Sequence, residues 1–210
     1  MSGQLAKSLL EIKAVHLSPE EPFTWASGIQ SPIYCDNRLT LSFPAVRKEI
    51  ARLLAEEIQL RFPEVTHISG TATAGIPHAA LVSEKLDLPM SYVRGEAKGH
   101  GRKNQIEGFI REGDQVVVVE DLISTGKSVI KVVEALRENG CTVLGVISIF
   151  TYGLEKGLKQ LQDAGIESYS LCTYRDLIET AVEVGAVREE DLDILREWQK
   201  NPEEWKVVLK

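Results

Sequence analysis

The sequence predicts an α/β fold: a central parallel sheet flanked by helices, with a small N-terminal hood. Three observations carry that reading. Val116 to Val119 are four consecutive β-branched residues, and such a run suits a strand buried on both faces in the middle of a parallel sheet. From about residue 44 to residue 173, helix-like apolar periods alternate with short apolar runs, the order expected of right-handed βαβ crossovers. The 210 residues suffice for one well-packed domain and are too few for two with a linker, so 1–210 reads as a single domain.

Taken in order, Leu5, Leu9, Ile12 and Val15 recur at helical spacing and predict an amphipathic helix over 3–15, closed off by Pro19 and Pro22. Residues 23–39, FTWASGIQSPIYCDNRL, mix aromatics with turn formers and show neither period; a short strand or hairpin is expected, part of a hood over residues 1–40. Val46, Ile50, Leu53, Leu54 and Ile58 mark a helix over 44–61, which Pro63 ends. A strand over 65–69, a small-residue loop Gly70 to Gly75 and a helix over 76–87 follow, then a strand over 90–94. After the valine strand come a helix stopped by Asn139-Gly140, a strand over 142–150, a helix over 154–164 and a strand over 168–173. Helices over 174–184 and 189–199 complete the chain, with Trp198 and Trp205 anchoring the tail or meeting another subunit.

The formal net charge is −7, from 24 Lys and Arg against 31 Asp and Glu. Duplex nucleic acid and anionic membrane surfaces are thereby poor general partners, and any anion site must be local. Cys35, Cys141 and Cys172 lack metal-ligand or CxxC spacing and read as reduced thiols. No apolar run approaches the ~18 residues of a membrane span and no cleavable leader is visible, so a cytoplasmic location is expected.

The chemistry gathers at three places. The valine strand runs into Glu120-Asp121 and then Ser124-Thr125-Gly126 ahead of a helix. Ligands of open α/β sheets sit beyond the carboxyl ends of the strands, where helix N-termini attract anions. Two adjacent carboxylates can accept hydrogen bonds from vicinal ribose hydroxyls and help to hold a hydrated Mg²⁺, so a sugar phosphate fits. Gly70 to Gly75 is a second loop able to fold round an anion. Between Arg94 and Lys103, the cations Arg94, Lys98, Arg102 and Lys103 stand with His100 and three glycines against one acid, Glu96; that composition describes a mobile lid, 94–108, ordering over a polyanion. Sharper motifs fail on counting. A P-loop ending in Gly126-Lys127-Ser128 needs glycine where Asp121 stands, Ser124 is preceded at two residues by Leu122 rather than glycine, and no HExxH or Cys/His cluster is present.

The stretch VVVVEDLISTGKS resembles the phosphoribosyl-diphosphate (PRPP) motif of type I phosphoribosyltransferases. Arg94-x-x-x-Lys98-x-His100-Gly101 and FTWASGIQSP are similar to the lid and hood of the orotate enzymes of that family. With GTATAGIPHAA the matches span about 23–128. The resemblance implies the type I phosphoribosyltransferase fold and transfer of phosphoribosyl from PRPP to orotate, giving orotidine 5′-monophosphate and pyrophosphate in pyrimidine biosynthesis. It implies PRPP contacts from Glu120, Asp121, Leu122, Ile123, Ser124, Thr125, Gly126, Lys127 and Ser128. Thr71, Ala72, Thr73, Ala74 and Gly75 would take the pyrophosphate, while Lys98, His100 and Arg94 would be catalytic. Ser124 would also touch orotate. Mg²⁺ is implied as cofactor, held mainly by PRPP and through water to Asp121, and a homodimer sharing the lid across its interface is implied as the assembly. The chain departs from relatives at Gly95, Ala26 and Ala74, where basic residues are common, and at Thr151-Tyr152, where an arginine would meet orotate. Arg38 is the expected substitute partner for the orotate carboxylate. The alternatives are a purine or uracil phosphoribosyltransferase and a PRPP-sensing regulator that binds nucleic acid.

Overall fold

The computed structural model describes residues 2–25, 28–95 and 105–206. Helix α1 (Ser2–Glu11) and strands β1 (Val15–Leu17), β2 (Phe23–Thr24), β3 (Gln30–Ser31) and β4 (Ile33–Cys35) precede a 3₁₀ turn (Asn37–Ser42) and α2 (Pro44–Arg61). Strand β5 (His67–Thr71), α3 (Gly75–Leu86), β6 (Met90–Val93), β7 (Ile106–Glu107), β8 (Gln115–Ile123) and α4 (Lys127–Glu138) follow. The chain continues through β9 (Thr142–Thr151), α5 (Glu155–Asp163), β10 (Ser168–Thr173), α6 (Tyr174–Glu183), a 3₁₀ turn (Glu189–Asp191) and α7 (Leu192–Lys200).

Six strands form the main sheet in the order β10-β9-β8-β5-β6-β7. The first five run parallel, and only the short edge strand β7 is antiparallel, with Tyr92 opposite Glu107. The valine run lies near the centre of this sheet and explains its layering. Val117 and Val119 enter the core shared with α1, α2 and α3, whereas Val116 and Val118 enter the core under α4 and α5. All four are fully buried. At about 1.5–3 kcal/mol for burying each such side chain, alternate burial on two faces fixes this strand's register.

Several boundaries differ from the sequence expectation, each for a local reason. The first helix stops at Glu11, because Lys13 takes a left-handed conformation (φ 57°) and Val15 pairs with Cys35 in a separate two-stranded ribbon. Strand β5 is displaced to His67–Thr71, and the last helix begins at Leu192 after a 3₁₀ turn. Most consequential, β8 continues through both acids to Ile123 instead of ending before them.

The hairpin of β2 and β3 (Phe23 opposite Ser31) is tied to the far end of the chain. Trp198, fully buried, donates its indole N–H to Gln30 O at 3.0 Å and stands edge-on to Trp25 at 5.6 Å between centroids. Tyr152 and Tyr174 complete the cluster, at 5.7 and 5.2 Å from Trp198. The tail therefore anchors on its own domain. Trp198→Ala is expected to cost about 3–5 kcal/mol, read as a fall in urea midpoint, with Trp198→Phe losing clearly less; equal loss in both variants would contradict the packing role.

Candidate active site

The carboxyl end of β8 extends past its neighbour. Pairing with β5 stops at Gly70 opposite Val119, while β9 continues alongside, with Glu120 opposite Ser148 and Leu122 opposite Phe150. Among the described residues, one edge of β8 is thus without a strand where the two acids lie, and side chains take over. The Asp121 N–H donates to Glu120 Oε1 at 2.9 Å, and the Asp121 carbonyl accepts from Asn37 Nδ2 at 2.7 Å. Glu120 is buried and Asp121 half-buried. Burial, followed by the adjoining Asp121 carboxyl, pushes the Glu120 carboxyl well above its ordinary range.

Two helices begin beside this pair. Helix α4 starts at Lys127 after Gly126, whose φ of 76° in the left-handed region favours glycine. Helix α3 starts at Gly75 after the loop Thr71 to Ala74, which contains a cis peptide between Ala72 and Thr73. Neither start carries a side-chain cap hydrogen bond; apart from the Ile76 N–H, which donates to Thr73 O at 3.3 Å, first-turn N–H groups and the positive ends of both helix dipoles are open to anions. A Cβ on Gly75 would lie 2.5 Å from Val119 O; glycine is what lets the loop cross the end of β8. Thr71 to Gly75 and Glu120 to Ser128 are in this way brought together, as the sequence anticipates.

The lid residues Lys98 and His100 lie outside the described residues. The residues flanking the expected lid segment are described. Arg94 N–H donates to Gln105 O at 2.9 Å, Val93 lies opposite Ile106, and the Arg94 guanidinium stands 3.3 Å from Glu107. Since β6 is parallel to β5, the segment departs from the same end of the sheet as the acids.

Beyond Ser124 and Thr125 opens a cleft of about 720 Å³, with Trp25, Ile29 and Leu154 as apolar walls and Lys127, Lys156, Lys159 and Lys200 on its rim. Lys156 is paired with Glu203 at 2.6 Å and Lys159 with Asp163 at 3.0 Å. Arg38 is exposed on the hood and forms a bidentate pair with Asp36, at 2.6 and 2.8 Å. Tyr152, at the position where an arginine was expected, is buried against Trp25 (5.1 Å between centroids) and serves the aromatic cluster.

The phosphoribosyl transferase domain family matches residues 41–184. A curated relative from Listeria monocytogenes, named orotate phosphoribosyltransferase, is 61% identical over 202 residues, covering 96% of this chain and 97% of its own. The chain belongs to the orotate phosphoribosyltransferase family. A second member, from Bacillus caldolyticus, is 58% identical over 205 residues, 98% of this chain and 99% of its own. The crystal structure of the Aeropyrum pernix orotate phosphoribosyltransferase superposes with a TM-score of 0.75 at 34% identity, over 87% of this chain and 99% of that one. An adenine phosphoribosyltransferase from Leishmania donovani, 19% identical over 89% of this chain and 83% of its own with a TM-score of 0.62, shares the fold alone. The type I phosphoribosyltransferase fold expected from the sequence is the fold observed.

Two residues close to Asp121 carried no sequence signal of that placement. Asn37 was hidden in an aperiodic segment, where an amide meeting a carbonyl 84 residues away leaves no pattern. His78 on α3 is fully buried within electrostatic reach of Asp121, with neither ring nitrogen hydrogen-bonded. Burial pushes its imidazole down to about 4, against the pull of Asp121. The folded chain keeps His78 neutral, whereas the unfolded chain takes up a proton near pH ~6.5. This group's contribution is complete above that pH and is lost as pH falls through about 4. Between pH 7 and 5 the loss is about 2 kcal/mol. His78→Leu is expected to remove that increment from the pH dependence of the urea midpoint; parallel wild-type and variant profiles would contradict it.

Proposed function

We propose that this chain transfers the 5-phosphoribosyl group from PRPP to orotate, yielding orotidine 5′-monophosphate and pyrophosphate in pyrimidine biosynthesis. The observation that carries the reading is the convergence of two uncapped helix N-termini on one pair of strand-end acids. A ligand with vicinal hydroxyls and two separate phosphate groups satisfies all three features together, and PRPP is such a ligand.

In this reading Glu120 and Asp121 accept hydrogen bonds from the ribose hydroxyls. The turn and first helical residues from Leu122 to Ser128 hold the 5′-phosphate, and Thr71 to Gly75 hold the diphosphate. The C1′ to diphosphate-oxygen bond breaks and its electron pair leaves with pyrophosphate, while the orotate ring nitrogen gives up its proton to solvent and forms the new bond to C1′. No protein nucleophile is required. Stabilising the departing polyanion is electrostatic work, assigned to Arg94, Lys98 and His100 of the lid, 94–108. The residues present fit Mg²⁺ as the donor's companion: Asp121 offers a half-buried carboxyl beside both helix starts, and one or two carboxylates plus substrate phosphates are the usual donor set of the ion. Bound there, Mg²⁺ would neutralise diphosphate charge, with Asp121 reaching it through water.

Orotate seats beside Ser124 at the mouth of the Trp25–Leu154 cleft, with Arg38 releasing Asp36 to meet its carboxylate. The assembly is a homodimer in which the lid serves the partner's site. No helix among the described residues is long and apolar enough to cross a membrane, in keeping with a cytoplasmic enzyme.

Loss of orotate absorbance with PRPP and Mg²⁺, and none of the uracil or hypoxanthine signal, is the expected result; turnover of another base in its place would overturn the assignment. In the same assay Arg38→Ala should raise KM for orotate about tenfold, the equivalent of one charge-assisted hydrogen bond, with KM for PRPP unchanged. An unchanged orotate KM would move the carboxylate to the cleft lysines. Lid sharing predicts that inactive Lys98→Ala and Asp121→Asn proteins regain part of the activity when mixed, because some heterodimers then hold one intact site; no recovery under exchange conditions counts against it.

A further inference from the structure

The hood and the donor acids are joined by one hydrogen bond that the reaction scheme above does not use. Asn37, 1% exposed, sits at the start of the 3₁₀ turn that follows β4, in the N-terminal segment. Its Nδ2 donates to the Asp121 carbonyl at 2.7 Å, and its Oδ1 accepts from the Cys35 thiol at 3.5 Å. Its own carbonyl accepts from Thr40 Oγ1 at 2.6 Å. Both ends of the amide are therefore engaged, which fixes its orientation. The bond falls where β8 has outrun β5, at the place a strand neighbour would otherwise occupy. An unpaired backbone carbonyl there would be free to tilt, and its side chain would turn with it.

We propose that Asn37 is a positioning residue for the transfer reaction: by replacing the missing strand neighbour it sets the aim of Asp121, and with it the seat of the donor ribose. This rests on the PRPP reading of the site. The same contact makes the hood's location a determinant of donor binding, even though the hood faces the base. Its effect is accordingly on the PRPP side of the kinetics, with little on orotate.

The test uses Asn37→Ala and Asn37→Leu, the second of similar volume and without a donor. Both are expected to raise KM for PRPP about tenfold, the size of one lost buried hydrogen bond, to weaken the rise in Tm produced by PRPP with Mg²⁺, and to leave KM for orotate within about twofold. Asn37→Ser, which restores a hydroxyl donor through a bridging water, should recover part of the PRPP affinity. Wild-type KM for PRPP in the folded variants overturns the proposal. So does failure of both variants to fold, which would make Asn37 purely structural. If wild-type protein itself made no orotidine monophosphate, the functional reading would fall, a result distinct from either.

Discussion

The site depends on a mismatch in strand length. Strand β8 runs several residues beyond the point where β5 stops pairing with it, and the acid pair Glu120-Asp121 occupies the resulting notch. Parallel strands packed on both faces cannot host carboxylates along their length, because burial of a charge without a partner is too costly. At the overhang the acids keep β9 on one side for rigidity while the other side faces a loop and the hood. Gly75 makes the notch usable, since any larger residue would drive the loop off the strand end. Both neighbouring helices then start at the same edge, so the anion-attracting termini arise from the parallel topology itself.

The N-terminal hairpin has little core of its own and is held by aromatic packing from the opposite end of the chain. Trp25, Tyr152, Trp198 and Tyr174 form a continuous set of ring contacts, and the indole N–H groups of both tryptophans are used on backbone carbonyls, Trp25 to Ile33 and Trp198 to Gln30. Such rings bring a large buried area together with a polar handle that fixes orientation. Tyr152 shows what this arrangement costs in chemistry. The end of β9 supplies packing to the N-terminal hairpin through Tyr152 and no charged side chain to the cleft.

How much of this was legible in the sequence follows from what each signal encodes. The valine run, the glycine and proline stops and the βαβ alternation are local, and they gave the sheet, its flanking helices and the positions of Glu120, Asp121 and both small-residue loops. The overhang of β8 was not legible, because the acids break the apolar run while the backbone continues in strand geometry; length came from β9 pairing, a tertiary effect. The displaced start of β5 and the early end of α1 have the same origin, with Val15 keeping helical period in sequence but finding a strand partner in Cys35. The contact of Asn37 was out of reach because an amide in aperiodic sequence has no marker for the remote group it meets.

The acid pair also poses an electrostatic problem that its burial answers. Two ionised carboxylates beside a ligand carrying phosphate at both ends would repel it and each other. Glu120 escapes by being buried on the strand's inner side next to Asp121, which favours its neutral form. A carboxyl group in that state still offers hydrogen-bonding capacity to a ribose hydroxyl while contributing no repulsion, so one acid can serve shape and the other charge. On the proposed PRPP reading, replacing Glu120 by a permanently neutral amide would perturb donor binding less than the same exchange at Asp121, the less buried of the two. On that reading, the inequality between two adjacent acids, set by which of them the strand buries, eases the approach of a polyanion to a chain whose net charge is −7.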